Sequence, residues 1–442
     1  MNIYALSSGR GPSGIAIIRL SGSEALNISE LISKKKDLKS KVVNICKFYN
    51  PLNNALIDEG LLLLFLRPNS FTGEDLVEFH IHGSNAVISY FLKVLSEQDN
   101  CRLADPGEFT KIAFQNNKID LIEAESIGDL IHSETELQRQ QAVKLVQGSA
   151  SNYYNDLRDK LIKALAYIEA QIDFAEDDLP ESVLKKVQIS IKEVHADIKK
   201  ILEDHKIGEK IRDGFRVSIV GEVNAGKSSL LNLLSKRDVA IVSEEKGTTR
   251  DVIEAYLNID GYPVILADTA GIRDSKNIIE KKGISLAISK SKESDVNLIM
   301  IDNSSKSVDQ NIKNLINEDC IIVLNKSDVN SQQNHNFNGV STVLISVKDN
   351  KNIFQLTTKI KEKLSQKFIT SNNVLVTRER HRFKLNECLK EIDNFLKKDQ
   401  NKDIEMAAED LRLATRHLGG IVGKVDVEEI LGAIFKDFCI GK

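Results

Sequence analysis

The segment from Gly221 to Ser228, which reads GEVNAGKS, constrains this chain more than any other part of its sequence. It matches the pattern Gly-x-x-x-x-Gly-Lys-Ser of a phosphate loop, with the apolar run FRVSIV before it and SSLLNLL at its end. This order of strand, glycine-rich loop and helix lets backbone N–H groups turn inward around a triphosphate. Lys227 is then expected to reach the β- and γ-phosphates, and the Ser228 hydroxyl to bind Mg²⁺.

The identity of the base is indicated by the segment CIIVLNKSD, an apolar strand followed by Asn325, Lys326, Ser327 and Asp328. A carboxylate at Asp328 can accept hydrogen bonds from both N1–H and the exocyclic amine of guanine. Adenine offers no such pair of donors, so it would leave a desolvated carboxylate unpaired. On its own NKSD is an ordinary polar turn, but downstream of a phosphate loop it predicts a site for GTP.

Three further segments complete the expected GTP site. The strand in VILADTAG ends at Asp268, expected in the Mg²⁺ shell, and the segment GTTRD offers Thr249 to the metal. The strand VLIS and the two residues after it are expected to cover the base. The residues expected from these motifs to bind GTP are Asn224, Ala225, Gly226, Lys227, Ser228, Ser229, Gly247, Thr248, Thr249, Asp268, Thr269, Ala270, Gly271, Asn325, Lys326, Asp328, Ser346, Val347 and Lys348.

The position after DTAG lacks the glutamine that orients the attacking water in Ras-like switches. Here that position is Ile272, which cannot hydrogen-bond water. Hydrolysis therefore needs another group to position water and another positive charge to stabilise the transition state. Arg250 and Arg273 are candidate arginine fingers, Glu280 is a candidate to position water, and a monovalent cation is the alternative source of charge.

Length and composition limit the protein class. A chain of 442 residues exceeds one hydrophobic core, so about two or three domains are expected. Lys plus Arg total 60 and Asp plus Glu total 64, and this balance excludes a globally basic nucleic-acid binder while leaving local patches open. The 5 scattered cysteines favour a reducing compartment over a disulfide framework or zinc site. The start lacks a signal-peptide layout and the apolar run 61–66 suits a core strand, so a soluble cytoplasmic protein without membrane association is expected.

Proline placement and periodicity divide the chain into segments. Short strands and turns are expected at the start, and apolar residues recur at helical spacing from Leu121 onward. The predicted division is a first domain of short strands and turns over 1–118, a helical part over 119–212, a GTPase domain over 213–370 and a second helical part over 371–442. The simplest architecture inserts the GTPase domain into a helical domain whose two parts pack together.

One local basic patch stands in the segment VTRERHRFK. It places Arg378, Arg380, Arg382 and Lys384 against a single Glu379. A run of this kind is more often a solvated helix face than an RNA site. A dedicated RNA-binding module would present a larger basic face.

Several segments outside the nucleotide motifs resemble one known family. They are the opening GRGPSGIAIIRLSG, the segment SFTGEDLVEFHIHG, the stretch RLADPGEFTKIAFQNNKIDLIEAESIGDLI and the terminal CIGK. Together with the phosphate loop, they make the chain look from end to end like the bacterial tRNA modification GTPase family MnmE, also called TrmE. The resemblance implies a multidomain protein: an N-terminal α/β domain similar to the folate-binding fold, a discontinuous helical domain and an inserted Ras-like P-loop GTPase domain.

The resemblance implies a tetrahydrofolate site in the N-terminal domain. By motif matching, Arg19, Glu78, Lys118 and the terminal Lys442 fall where the family contacts a formyl- or methylene-tetrahydrofolate. A pterin ring needs a carboxylate for its N–C–N edge, and the glutamate tail of folate favours cations. The segment HIHGS departs from the more glycine-rich pattern of relatives, since it carries Ile81.

The resemblance also implies an answer to the absent glutamine. In potassium-activated GTPases, which the family is similar to, K⁺ sits where an arginine finger would act. Asn224, Ser243, Glu245 and Thr248 match the family's K⁺ ligands, mainly through backbone oxygens, while Ser228 and Thr249 remain the Mg²⁺ ligands. The potassium loop also adds four residues to the expected GTP-binding set, which are Ser243, Glu244, Glu245 and Lys246.

Two catalytic candidates follow from the same resemblance. Glu280 falls on the family's catalytic glutamate, which acts on the water network when two GTPase domains meet across their switches. Cys439 lies in the CIGK tail, which in the family reaches toward the folate site.

The function implied by the resemblance is that of a homodimeric, K⁺-dependent GTPase acting on tRNA in a heterotetramer with the FAD- and NADH-using protein MnmG. The complex would modify carbon 5 of the wobble uridine of certain tRNAs, using a tetrahydrofolate one-carbon unit and glycine or ammonium. Hydrolysis of GTP to GDP and phosphate would drive dimerisation of the GTPase domains. The alternative is a regulatory GTPase that binds ribosomal RNA, which shares the guanine motifs but leaves the folate-like segments and the CIGK tail unexplained.

Overall fold

The computed structural model separates into two compact units. The first comprises Met1–Gly128, Leu145–Asp159 and Thr415–Lys442, and the second comprises Asp129–Lys144 and Lys160–Ala414. The residues that the structure describes are 1–9, 11–173, 181–222, 224–237, 254–268, 292–305, 307–329, 337, 339–368, 374–398, 403–425 and 441.

The described residues contain both strands and helices, as expected for a mixed α/β protein with additional helices. The strands are β1 (Asn2–Leu6), β2 (Ser13–Ser21), β3 (Asn44–Tyr49), β4 (Leu56–Phe65), β5 (Leu76–Gly83), β6 (Cys101–Leu103), β7 (Phe215–Gly221), β8 (Glu254–Ile259), β9 (Tyr262–Asp268), β10 (Val296–Asp302), β11 (Cys320–Asn325) and β12 (Ser341–Leu344). The helices are α1 (Ala25–Ser33), α2 (Asn85–Ser96), α3 (Glu108–Gln115), α4 (Leu121–Ile131), α5 (Glu136–Val146), α6 (Ser149–Asp173), α7 (Glu181–Leu202), α8 (Ile207–Asp213), α9 (Lys227–Arg237), α10 (Gln310–Lys313), α11 (Ile353–Phe368), α12 (Glu379–Lys397) and α13 (Ile404–Val422).

The first six strands form one sheet in the order β3-β4-β5-β2-β1-β6. Neighbouring strands are antiparallel except β1 and β6, which are parallel. The predicted core strand at 61–66 is confirmed as part of β4, with Leu62 and Leu64 buried. Register in the β2–β5 pair sets Arg19 opposite Glu78. Pairing of strands thus brings together two charged residues that are distant in sequence.

The core of this first sheet lies on the side covered by α1 and α2. Alternate residues of the strands, such as Ile18 and Leu20 of β2, point into it because side chains alternate between the two faces of a sheet. The rings of Phe48, Phe79 and Phe91 meet there with centroids 4.9 to 5.6 Å apart. Such aromatic contacts stabilise the core beyond the area they bury.

The second sheet has the order β12-β11-β10-β7-β9-β8. Its neighbours are parallel except for the antiparallel pair β8 and β9. Strand β11 is buried throughout, because a parallel sheet flanked by helices excludes water from both faces. Leu230 of α9 and Leu356 of α11 belong to the core of this sheet. The carboxyl ends of β7, β10 and β11 meet at one edge, where parallel α/β sheets bind ligands.

Long helices lie within the segments predicted to be helical, 119–212 and 371–442. In the second unit α7 packs against α12. The buried residues of α7, including Val187, Ile191 and Val194, recur every three or four positions and form one apolar stripe. None of the helices in the described ranges is both long enough and apolar enough to traverse a membrane.

The basic patch of VTRERHRFK is partly engaged inside the second unit. Arg382, only 8% exposed, donates to both carboxylate oxygens of Glu209 at 2.8 Å and to Asp204 at 2.8 Å. The Arg378 guanidinium donates to Asp129 Oδ1 at 2.8 Å. Burial of a guanidinium requires such paired hydrogen bonds. These two arginines therefore hold the start of α12 to neighbouring elements.

Candidate functional site

The loop after β7 is organised around the side chain of Lys227. Strand β7 ends at Gly221 and helix α9 begins at Lys227. The Lys227 Nζ donates to the carbonyl oxygens of Gly221 at 2.9 Å and Glu222 at 2.8 Å. Ser228 and Ser229 follow in the first turn of α9, where the helix dipole favours an anion. The predicted order of strand, loop and helix is present, and its geometry suits a phosphate group.

Two glycines of this loop have no room for a side chain. Gly226 has a φ of +98°, and a Cβ added to it would lie 2.5 Å from Nδ2 of Asn325. A Cβ on Gly221 would lie 2.1 Å from the carbonyl oxygen of Met300 in β10. Any larger residue would displace the neighbouring groups. The loop therefore keeps the bare backbone that close approach to a phosphate requires.

Asn325 connects three loops at the carboxyl edge of the sheet. It lies at the end of β11 and is 4% exposed. Its Nδ2 donates to the carbonyl oxygen of Ala225 at 2.8 Å, and its Oδ1 accepts from the backbone N–H of Val347 at 3.1 Å. Three residues expected to bind GTP, from three separate sequence motifs, are thereby brought into one hydrogen-bonded network.

Lys326 is held by a carboxylate from the neighbouring strand. Its Nζ lies 2.5 Å from Oδ2 of Asp302, the last residue of β10. The other carboxylate oxygen of Asp302 accepts from the backbone N–H of Ser304 at 2.9 Å and from its hydroxyl at 2.7 Å. Burial raises the pKa of Asp302, but the hydrogen bonds from Lys326 and Ser304 outweigh burial and leave the pKa below its usual value. Asp302 therefore stays charged at neutral pH and orients Lys326.

Asp328 is placed by the loop after β12. The fully buried Ser346 donates from Oγ to Asp328 Oδ1 at 2.7 Å and accepts from the backbone N–H of Asp349 at 3.1 Å. The hydrogen bond from Ser346 is the main cause of a lowered pKa at Asp328, to which the positive charges of Lys348 and Lys326 add. The carboxylate is thus ionised at neutral pH and can accept hydrogen bonds from a base.

The backbone of two residues expected at the metal sites, Asn224 and Asp268, lies in or close to the phosphate loop. Asn224 has a φ of +64°, a left-handed conformation that asparagine tolerates better than most residues. Asp268 ends β9 and lies opposite Ile219 of β7, near the phosphate loop. Arg250, Ile272 and Arg273 lie outside the described residues. So do the following residues predicted to belong to the GTP, metal, folate or catalytic sites: Ser243, Glu244, Glu245, Lys246, Gly247, Thr248, Thr249, Thr269, Ala270, Gly271, Glu280, Cys439 and Lys442.

In the N-terminal sheet, Arg19 and Glu78 form a close ion pair. Glu78 Oε1 accepts from Arg19 Nε at 3.2 Å and from Nη2 at 2.8 Å. The guanidinium carbon lies 5.7 Å from the ring centroids of both Phe71 and Phe109. Two residues farther along β5, the buried Nε2 of His80 is 3.6 Å from Glu78 Oε2 and has no hydrogen-bond partner among the described residues.

Lys118 lies apart from this pair. A Cβ added to Gly73 would be 3.2 Å from Lys118 Cε, so the lysine side chain runs beside the loop between β4 and β5. Within the described residues, no hydrogen bond or ion pair joins Lys118 to Arg19 or Glu78. The structure therefore brings two of the expected folate-binding residues together and leaves the third separate.

Sequence reasoning missed two residues at these sites, Asp302 and His80. Asp302 carries a detectable signal, because it ends the apolar run VNLIMID and parallel strands place their carboxyl ends at one edge. His80 carries no comparable signal. Its position beside Glu78 becomes evident only from alternation along β5.

Comparison with known proteins identifies the family. A model described as MnmE helical domain matches residues 121–439, and one described as GTP-binding protein TrmE N-terminus matches residues 2–118. The tRNA modification GTPase MnmE of Pelagibacter ubique is 56% identical over 443 residues, covering 100% of both chains. The MnmE of Rickettsia bellii is 42% identical over 446 residues, covering 100% of this chain and 99% of its own.

Likeness to solved structures is weaker. The G domain of the T. maritima FeoB iron transporter is 21% identical and covers 34% of this chain and 98% of its own, with a TM-score of 0.26. Family membership rests instead on the full-length identity and on the two family models. The chain belongs to the MnmE family of tRNA modification GTPases.

Proposed function

We propose that this chain is a K⁺-dependent GTP hydrolase that, with an FAD- and NADH-using partner, modifies carbon 5 of the wobble uridine of certain tRNAs. Its relatives are named tRNA modification GTPases, which supports GTP and tRNA as substrates. In this proposal the one-carbon unit comes from a tetrahydrofolate and the amine from glycine or ammonium. Hydrolysis of GTP to GDP and phosphate drives dimerisation of the GTPase domains.

The Asn325 network is the observation that carries the GTPase assignment. It ties the phosphate loop at Ala225 to the base-reading loop and to the covering loop at Val347. These hydrogen bonds fix the separation of the phosphate and base sites. A rigid connection of this kind lowers the entropic cost of binding.

In the proposed reaction Lys227 binds the β- and γ-phosphates, while backbone N–H groups of the loop surround them. Gly226 supports this role, because its bare backbone lets a phosphate approach closely. Ser228 and Thr249 would hold Mg²⁺, with Asp268 nearby; the metal would neutralise charge on the phosphate oxygens. Glu280 positions the water that attacks the γ-phosphorus, and the bond to the bridging oxygen of GDP breaks.

A potassium ion is proposed as the source of transition-state charge in place of an arginine finger. Asn224 would ligate it together with Ser243, Glu245 and Thr248. Asn224 supports this proposal by its place in the phosphate loop, where its left-handed backbone is one that asparagine tolerates. When bound, K⁺ would stabilise the negative charge that develops between the β- and γ-phosphates.

The N-terminal sheet is proposed to bind the tetrahydrofolate derivative, through Arg19, Glu78, Lys118 and Lys442. The buried, unsatisfied Nε2 of His80 supports a ligand there, since buried polar groups are normally hydrogen-bonded. Glu78 would offer its second carboxylate oxygen to the pterin edge while Arg19 holds the first, and Lys118 and Lys442 would bind the glutamate tail. Cys439 is proposed as a further participant in the tRNA chemistry.

A homodimer is proposed to form through the N-terminal sheet. Ile45 of β3 is 66% exposed, and Leu61, opposite it on β4, is 38% exposed. Exposed apolar neighbours on a sheet face are typical of a protein–protein interface, and a second copy would cover them. The four segments 1–118, 119–212, 213–370 and 371–442 are proposed as the domain division, and MnmG as the partner in a heterotetramer.

Steady-state GTP hydrolysis in KCl and in NaCl at equal ionic strength tests the proposal, with ATP as the control nucleotide. We expect strong stimulation by K⁺, no hydrolysis of ATP, and loss of the stimulation in Asn224→Ala. Equal rates in both salts would overturn the K⁺-dependent mechanism while leaving the GTPase assignment intact. Hydrolysis of ATP at the GTP rate would overturn the guanine assignment.

A further inference from the structure

The connection between α1 and β3 concentrates positive charge in a chain whose net charge is -4. Residues 34–41, which we call the lysine loop, read KKKDLKSK. All of its lysines are exposed, and Asp37 is its sole acidic residue. An excess of exposed positive charge raises the local electrostatic potential and attracts polyanions.

The backbone of the lysine loop is held in place by several hydrogen bonds. The N–H of Lys41 and the hydroxyl of Ser40 both donate to the carbonyl oxygen of Leu64 in β4, at 2.8 and 3.2 Å. The Asn44 side chain accepts from the N–H of Lys39 at 3.2 Å and donates to its carbonyl oxygen at 3.1 Å. These hydrogen bonds fix the main chain that carries the lysines. Binding of a polyanion to the loop therefore requires little further ordering of the main chain.

The lysine side chains keep their charge available. Lys34 Nζ lies 4.1 Å from the ring centroid of Tyr49, and Lys35 Nζ donates to the carbonyl oxygen of Ile45. Both contacts orient an ammonium group without neutralising it. Among the described residues, no carboxylate forms an ion pair with any lysine of the loop.

The contrast with the VTRERHRFK segment shows which basic surface is accessible. There, Arg382 and Arg378 are bound to Glu209, Asp204 and Asp129 within the second unit. A polyanion would have to break those pairs to reach the guanidinium groups. At the lysine loop it would displace only water and counterions.

We infer that the lysine loop binds the phosphate backbone of the substrate tRNA, an inference that rests on the tRNA-modifying function proposed above. Lysine is a flexible, strongly hydrated point charge, which suits phosphate contacts and not the reading of bases. Such contacts position an RNA without selecting its sequence. The loop thus supplies tRNA affinity from the N-terminal region of a protein that is acidic overall.

The salt dependence of tRNA binding tests this inference. Unmodified tRNA transcript is titrated with the full chain and with Lys36→Gln/Lys39→Gln/Lys41→Gln over a series of KCl concentrations. Each lost phosphate contact lowers the slope of log K against log salt by about 1, so we expect the triple variant to lose about 3. Binding at low salt should weaken in parallel.

A matched triple variant separates a local contact from a general charge effect. Lys192, Lys199 and Lys200 are exposed on α7, and changing all three to Gln removes the same charge. This control should keep the wild-type slope, and circular dichroism verifies that both variants are folded. An equal loss in the control, or no loss in the lysine-loop variant, would overturn the inference.

Two further outcomes are decisive. If the wild-type chain binds no tRNA at low salt, the inference is wrong, whereas GTP hydrolysis in KCl still reports separately on the proposed function. If the loop instead governs flotation with phosphatidylserine vesicles and leaves tRNA binding unchanged, its partner is an anionic membrane surface and the RNA assignment falls. Loss of tRNA binding confined to the lysine-loop variant supports it.

Discussion

The nucleotide region, from β7 to α11, and the N-terminal sheet, from β1 to β6, hold their carboxylates in different ways. In the nucleotide region Asp302 lies at the end of its strand and Asp328 in the loop that follows the next one, and both are bound by groups from loops. In the N-terminal sheet Glu78 and Asp58 lie within strands and are bound by groups of the adjacent strand. The first arrangement presents charges at an edge, and the second fixes them on a face.

This difference determines how each site tolerates change. At the strand ends, side chains depend on a loop backbone that must stay narrow, so an added methyl group is more damaging than a lost charge. On the sheet face, strand pairing fixes the backbone, so the damage comes from leaving a half-buried charge without its partner. Substitutions of each kind test this difference between the two regions.

The largest effect is expected from Gly226→Ala. The left-handed φ costs about 1–2 kcal/mol in a residue with a side chain, and the new Cβ collides with Nδ2 of Asn325. We expect affinity for fluorescently labelled GDP to fall by at least about tenfold, since about 1.4 kcal/mol corresponds to that factor. Gly339→Ala is the matched control, because Gly339 also has a positive φ, of +79°, but nothing within 4 Å of its Cβ. Equal losses in the two variants would show that strain alone, and not loop shape, is responsible.

A somewhat smaller effect is expected on the sheet face, from Arg19→Met. It leaves the Glu78 carboxylate, 17% exposed, without its donor, which costs about 1–3 kcal/mol. Amide hydrogen exchange in β2 and β5 measures the loss as a local opening free energy. The double variant Arg19→Met/Glu78→Gln should recover part of it, because no charge remains unpaired.

The control for Arg19→Met is an exposed pair in the same region, away from the face proposed to dimerise. Lys93 and Glu97 lie one turn apart at the carboxyl end of α2, their charged atoms are 3.9 Å apart and the Lys93 side chain is 68% exposed. Lys93→Met should therefore cost only about 0–1 kcal/mol. A loss as large as that of Arg19→Met would mean that burial of the Arg19–Glu78 pair is not what makes it strong.

The same contrast explains what the sequence could predict. The phosphate loop, NKSD and VLIS are local motifs, and parallel strands always align their carboxyl ends, so the meeting of Asn325 with Ala225 and Val347 follows from order along the chain. The contacts of Arg19 and Arg382 do not follow from the order of motifs along the chain. Arg19 depends on the register of β2 against β5, which no local motif specifies, and its role was predictable only through resemblance to a family.

The VTRERHRFK segment illustrates the limit in another way. Its charges are visible in the sequence. Arg382, however, binds Glu209 and Asp204, which lie more than 170 positions earlier in the chain. Sequence reasoning could weigh a solvated face against an RNA site. A buried ion pair cannot be predicted from this segment, because pairing with distant residues leaves no periodic pattern in the sequence.

A moderate effect is expected from Asp302→Asn. The substitution removes the charge that orients Lys326 and weakens a charge-assisted hydrogen bond, so we expect labelled GDP to dissociate about five to tenfold faster, or about 1 kcal/mol. Asp302→Glu should recover part of the loss, and kcat should change less than KM. Asp260→Asn, which removes an exposed partner of Lys361 in the same region, is the control and should leave dissociation unchanged.

The smallest effect is expected at Asp58 of the N-terminal sheet, and it depends on pH. Asp58 accepts from the backbone N–H of His82 at 2.7 Å and from its Nδ1 at 2.8 Å. Burial raises the pKa of Asp58, but these hydrogen bonds outweigh it and hold the pKa below its usual value. Because the folded pKa is the lower one, the stabilisation is complete above the unfolded value of about 3.9 and is lost as pH falls through the folded value.

Asp58→Asn should therefore lower protection of the β4 and β5 amides by about 1 kcal/mol or less near pH 5.5, and by progressively less as pH approaches 3. Hydrogen exchange corrected for the intrinsic pH dependence of the amides measures this convergence. A gap between Asp58→Asn and the wild type that stays constant over this range would show that geometry, and not charge, gives Asp58 its value. In that case the shape of the Asp58 side chain, and not its charge, would stabilise the N-terminal sheet. Shape would then matter at Asp58 as it does at the glycines of the phosphate loop.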